Sequence, residues 1–172
     1  QDARSKKEIP LPAPPAGGFW VPSRFSPTDR YLSVTLHGDT APVQGYLLDL
    51  KEGKALRLAE VLPEPLRGRT METGRSVRIK SFDDREVPAY LYLPPGQPRG
   101  ALPAVIDVHG GPTAQSRRDF SLVRQYLLTK GYAVLVPNVR GSTGYGKSYT
   151  TLDNLDLGGG PLKDVVACKR WL

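Results

Sequence analysis

Two apolar runs, residues 103–108 and 132–139, bracket a stretch of helical pattern, and each opens into a glycine-rich loop. The first loop reads His109-Gly110-Gly111-Pro112, the second Arg140-Gly141-Ser142-Thr143-Gly144-Tyr145-Gly146. Strand, loop, helix and strand make a βαβ unit of a mostly parallel sheet. Residues 103–108 are apolar almost throughout, as a central strand covered on both faces requires. Between the runs, residues 113–130 are expected to form a helix with Phe120, Val123 and Leu127 inward, widened by Tyr126, and Gly131 stands where a left-handed cap belongs. Both loops then emerge at strand C-termini, where ligands meet such sheets. Asp107, the one charge in the first run, reads as a structural acid rather than a functional one.

The rest of the chain divides around this unit. Residues 1–18 are polar and then proline-rich, a linker or extended strap. Within residues 19–60, strands are expected at 31–36, 44–50 and 55–59. Leu32, Val34 and Leu36 share one face, His37-Gly38-Asp39 forms a turn, and the whole is an antiparallel meander the size of one β-propeller blade. Residues 61–75 carry prolines and no sustained period, which makes them a connector. From residue 76 to 172 the pattern is α/β. A hairpin pairs 76–82 with 87–93 across Asp83-Asp84-Arg85-Glu86, with Val77, Ile79 and Phe82 inward on one strand and Val87, Ala89, Leu91 and Leu93 on the other. After Gly158-Gly159-Gly160, Pro161 starts a last helix whose apolar stripe is Leu162, Val165, Val166 and Leu172.

Charge and composition exclude several classes. The formal net charge of +7 invites a nucleic-acid reading, but the basic residues are scattered and no aromatics interleave with them as stacking platforms. No stretch approaches the roughly 18–20 apolar residues of a membrane span. The single cysteine, Cys168, sits in an apolar helical pattern and reads as a buried structural thiol. His37 and His109 lie far apart in sequence, so neither a metal site nor any other cofactor is expected. The chain opens on Gln1 with no initiator methionine and no apolar signal segment near its start, so a segment cut from something longer is expected; the location expected for the protein is cytoplasmic.

Two motifs present in the chain, and one absent from it, bear on the chemistry. In His109-Gly110-Gly111-Pro112 the glycines let backbone N–H groups approach a ligand; Pro112 has none to give, which leaves Gly110 and Gly111 as donors, or else the loop is a plain tight turn. His109 lacks a serine or acid placed by motif and reads as a hydrogen-bonded structural residue. Gly141 to Ser148 matches the phosphate-loop pattern G-x-x-x-x-G-K-[ST] literally, with Lys147 as the phosphate lysine, and a nucleotide-binding module is the alternative it raises. A phosphate loop must feed a helix directly, whereas here Asp153-Asn154 and three glycines interrupt it. No G-x-S-x-G elbow occurs, so the chain offers no serine nucleophile of the α/β-hydrolase kind.

Taken in order, VPAYLYLPPG, LPAVIDVHGGPTAQ, GYAVLVPNVRGSTGYGKSY and GGGPLKDVVACKRWL resemble the opening half of the catalytic domain of the prolyl oligopeptidase family of serine peptidases, nearest its acylaminoacyl-peptidase and dipeptidyl-peptidase-like branch. FSPTDRYLSV and GYLLDLKEGKALRLAE resemble the last blade of that family's propeller. The resemblance implies the N-terminal part of an α/β-hydrolase sheet, preceded by one propeller blade, with the catalytic serine, aspartate and histidine absent from these residues. It further implies Gly111 as the oxyanion-hole amide, with Gly110 and His109 shaping that loop, and Arg140, Gly141 and Ser142 as a loop beside the active site. The implied partners are a short peptide substrate and the remaining half of the catalytic domain and propeller; the other alternative is a fragment that binds peptides without turnover.

Overall fold

The computed structural model describes residues 8–15, 17–96, 101–111 and 113–172; Pro112 and the first residues of the expected 1–18 linker lie outside them. The chain forms two compact units, residues 1–71 and residues 72–172.

The first unit is an antiparallel meander, β1 (Gly18–Phe25), β2 (Tyr31–Gly38), β3 (Gln44–Asp49) and β4 (Lys54–Arg57), paired in chain order. Period-two alternation on β2 buries Leu32, Val34 and Leu36, and Leu48 of β3 stands opposite Leu32 to complete the small core with Trp20, Tyr46 and Leu50. The sequence reading missed β1 altogether. Pro22 sits inside it and the register shifts between Pro22 and Arg24, which an edge strand tolerates because one row of its backbone groups needs no partner. The Trp20 indole N–H donates to Pro12 O at 2.7 Å, which ties the described part of the proline-rich segment to β1. His37 lies within β2 rather than in a turn, its ring stacked on Phe19 at 5.7 Å.

The second unit holds β5 (Arg75–Lys80), β6 (Glu86–Tyr92), β7 (Ala104–Ile106), α1 (Leu122–Thr129), β8 (Ala133–Pro137), α2 (Lys147–Thr150) and α3 (Gly160–Trp171). Sheet order is β5-β6-β8-β7, with β7 parallel to β8 and the other pairs antiparallel. Every residue of β8 is buried. Alternation then sorts the core into two clusters. Ile79, Val87, Ala89, Leu91 and Leu135 meet Cys168 of α3, while Tyr92, Val134 and Val136 meet Leu128 of α1.

Four expectations need correction. The run 103–108 yields only the three residues of β7, at the sheet edge rather than its centre, and Val108 is 42% exposed. The first helix starts at Leu122, not near 113, because Ser121 caps it by accepting the Arg124 amide at 3.2 Å. Its buried face is Arg124, Gln125 and Leu128, with Val123 and Tyr126 exposed. Arg124 earns its place by lying over the Tyr92 ring at 4.7 Å and donating to Asp119 O at 2.9 Å, and Gln125 pairs both amide atoms with the Glu72 backbone. On α3 the inward residues are Gly160, Asp164 and Cys168, while Leu162, Val166 and Leu172 face outward, and Phe82 is likewise exposed.

Candidate active site

The site is built where β7 and β8 end. Asn138, directly after β8, is fully buried, and its side chain accepts from Ser116 N at 2.8 Å and donates to Ser116 O at 3.0 Å. That pairing holds residues 113–121 against the strand end in place of the helix expected there. Two residues on, Arg140 turns inward and is 7% exposed. Its backbone N–H and Nε both donate to Asp164 Oδ2 at 2.9 Å, and its two terminal nitrogens reach Asp83 at 2.9 and 3.0 Å. The guanidinium also lies over Phe82 at 4.6 Å. Asp164 and then Asp83 raise the Arg140 pKa above its ordinary value, and Arg140 in turn lowers that of Asp83. Arg140, expected beside the active site, is therefore a clamp joining the β8 exit to α3 and to the β5–β6 turn.

Ser142 is fully buried. Its hydroxyl donates its one proton to Val139 O at 2.6 Å, so toward His109 Nε2, 2.9 Å away, it can only accept. The contact ties the first glycine loop to the second, and the ring's Nδ1 lies 3.3 Å from Gly110 O. His109 was expected to be a hydrogen-bonded structural residue, and that is its role in this contact. Beyond it, Gly110 and Gly111 are exposed and Gly111 has φ +88°, a left-handed conformation that suits glycine. Among the described residues, no hydrogen bond engages the amide of Gly110 or Gly111. Gly111 and His109 border a cleft of about 350 Å³ whose other wall includes Leu157, Leu162 and Val165.

The first three amides of the phosphate-loop look-alike are already engaged. Gly141 N, Ser142 N and Thr143 N donate to Tyr149 O, Val139 O and Ala114 O at 3.1, 3.0 and 2.9 Å. The helix that follows, α2, spans four residues. A phosphate cradle needs those N–H groups aimed at the ligand and a helix N-terminus behind them. Among the described residues no cluster of His, Cys, Asp or Glu could hold a metal ion. Burial pushes the Cys168 thiol up to about 11 and the Tyr149 phenol above its ordinary range, the latter donating to Asn138 O at 2.8 Å. Asp107 pairs with Arg124 at 3.4 Å, while its amide donates to Leu135 O. The sequence reading missed Asn138, Asp164 and Asp153; Asp164 lies four residues before Cys168, a helical spacing that could have flagged one shared inward face.

Residues 118–172 match the sequence profile of the prolyl oligopeptidase family. Over 150 residues the chain is 32% identical to dipeptidyl aminopeptidase BIII of Pseudoxanthomonas mexicana, covering 83% of this chain and 22% of that protein. Over 165 residues it is 31% identical to dipeptidyl peptidase family member 6 of Caenorhabditis elegans, covering 84% and 22%. By these matches the chain is similar to members of the prolyl oligopeptidase family over most of its length. Solved structures agree. A Mycobacterium tuberculosis puromycin-hydrolyzing peptidase superposes with a TM-score of 0.76 at 28% identity, covering 89% of this chain and 24% of that one. The acylaminoacyl peptidase of Pyrococcus horikoshii gives 0.69 at 25% identity, covering 84% and 23%. The chain thus spans less than a quarter of the length of these prolyl oligopeptidase relatives.

Proposed function

We propose that this chain supplies the oxyanion side of a serine peptidase active site whose nucleophile, acid and base lie in the remainder of the full-length protein. In the reaction a serine Oγ attacks the carbonyl of a short peptide, and negative charge gathers on the carbonyl oxygen. The Gly111 N–H donates to that oxygen, and a second amide follows the nucleophile. Such a donor is worth roughly 3 kcal/mol in the transition state. The observation that carries this reading is the Gly111 amide itself, unengaged among the described residues, held at φ +88° just past a strand end and bordering a cleft. The Ser142–His109 contact behind it keeps the loop in register with the end of β8. The first unit is then one blade of a propeller, and the rest of that propeller and of the catalytic domain completes the enzyme. A cytoplasmic location belongs to the same reading.

Gly111→Ala in the full-length protein tests the assignment. Alanine disfavours a positive φ, so the loop should shift and the amide lose its aim. We expect kcat on a peptide substrate to fall by roughly 10- to 100-fold with KM little changed, the pattern of an interaction made only in the transition state. An unaltered kcat would remove Gly111 from the oxyanion hole, and saturable peptide binding without turnover in the wild type would favour a binding module instead.

A further inference from the structure

Asp153 differs from Asp164, the other buried acid among the described residues of the second unit. Asp164, fully buried, is held by Arg140 and by the Ser81 hydroxyl. Asp153 is 3% exposed and closes the 3-10 turn Thr151–Asp153, yet among the described residues no hydrogen bond or ion pair reaches its carboxylate. The carboxylate packs against the Cα of Gly141, where any Cβ would collide with it, so that glycine keeps the acid in place. It borders the same cleft as Gly111, and the other walls there are largely apolar: Val108, Leu157, Leu162 and Val165. A buried carboxylate without donors is costly, and so is a polypeptide N–H carried into an apolar cleft without an acceptor. Each need answers the other.

The occupant follows from the position. The cleft opens at the C-terminal end of β7, and the outer edge of β7 carries no strand among the described residues. A further strand on that edge would end over the cleft, next to the Gly111 amide. The relatives are more than four times longer than the part this chain matches, so they have polypeptide to provide it. We propose that Asp153 is a positioning residue, its carboxylate accepting a main-chain N–H of the nucleophile-bearing segment, which seats in this cleft beside Gly111. This rests on the serine peptidase reading above.

The test uses the full-length protein and a fluorophosphonate probe. Asp153→Ala should slow labelling of the serine by tenfold or more while near-ultraviolet circular dichroism stays native, and Asp153→Asn, which still accepts a hydrogen bond, should restore most of the rate. Labelling of Asp153→Ala at the wild-type rate would overturn the proposal. So would an Asp153→Asn enzyme that loses activity only on peptides with a free amino terminus, because the carboxylate would then serve a substrate cation. Asp153→Ser replaces alanine if that variant does not fold. If neither folds, hydrogen exchange on the wild type decides: a protected amide in the nucleophile segment, lost first in Asp153→Asn, supports the proposal, and fast exchange throughout that segment overturns it. A wild-type protein that takes no probe at all refutes the peptidase reading instead.

Discussion

Arg140 and Asp164 form a buried pair in which neither partner has water to fall back on, and Asp83 takes the donors that Asp164 leaves. Removing one member of such a pair strands the other. Asp164→Ala should therefore destabilise the second unit by about 3–5 kcal/mol, read as a lower urea midpoint with an unchanged slope. The loss exceeds what a pocketed methyl would give, because Ser81 and the Arg140 backbone N–H lose their acceptor as well. Gly160 completes the arrangement at the same scale: a Cβ there would press on the Arg140 side chain, which explains why a glycine stands at the first position of α3 although most other residues would favour the helix more. An equilibrium shift under about 1 kcal/mol on Asp164→Ala would mean that Asp83 alone satisfies the guanidinium.

At the scale of elements, the β3–β4 turn shows how a side chain can fix a local fold. The Asp49 carboxylate accepts from the Lys51 and Glu52 amides at 3.0 and 3.1 Å and pairs with Arg30 at 2.8 Å. The Arg30 hydrogen bond first, then those amides, hold its pKa down at about 2 against the opposing effect of burial. A depressed carboxylate stabilises the fold fully above the pKa of the unfolded chain, roughly 3.9, and that contribution is lost as pH falls through about 2. The melting temperature of the wild type should accordingly drop between pH 4 and 2, and Asp49→Asn should flatten that part of the profile; parallel profiles would detach the turn from stability. Asp49 also illustrates which parts of the fold were legible. Turn chemistry, the β2 alternation and the β5–β6 hairpin are local, so spacing alone revealed them. β1 was hidden because Pro22 argues against a strand unless its edge position is already known. The inward faces of α1 and α3 were misassigned for a related reason. Arg124, Gln125 and Asp164 look solvent-facing by type, and their partners (Tyr92, Glu72 and Arg140) are 24 or more residues away in sequence. At the candidate site the places of the two glycine loops after their strands were legible, whereas the His109–Ser142 contact, 33 residues apart, and the closed amides of Gly141 to Thr143 depend on how the loops pack.

The sheet of the second unit has a covered centre and two edge strands, β5 and β7. β8 is buried along its whole length with α1 and α3 clusters on its two faces, while β7 is short, parallel and unpaired on its outer edge among the described residues. Parallel strands are ordinarily covered on both faces and flanked, so an open parallel edge with exposed Val108 at its end is a surface that a longer polypeptide would bury. The nucleophile should then come from polypeptide beyond these residues rather than from any serine within them. Ser142 is the serine joined to the Gly111 loop, and it is disqualified by its own geometry: fully buried and donating to Val139 O, it aims its proton at a backbone carbonyl instead of a base and has no path to a substrate carbonyl. We therefore expect that, in the full-length protein treated with a fluorophosphonate and digested, the labelled peptide maps outside residues 1–172, and that Ser142→Ala still takes up the label, more slowly because His109 has lost its acceptor. A label on Ser142 would overturn both the division of labour and the hydrogen-bond assignment on which it stands, since a serine that reacts cannot also be the fixed acceptor that holds the loop.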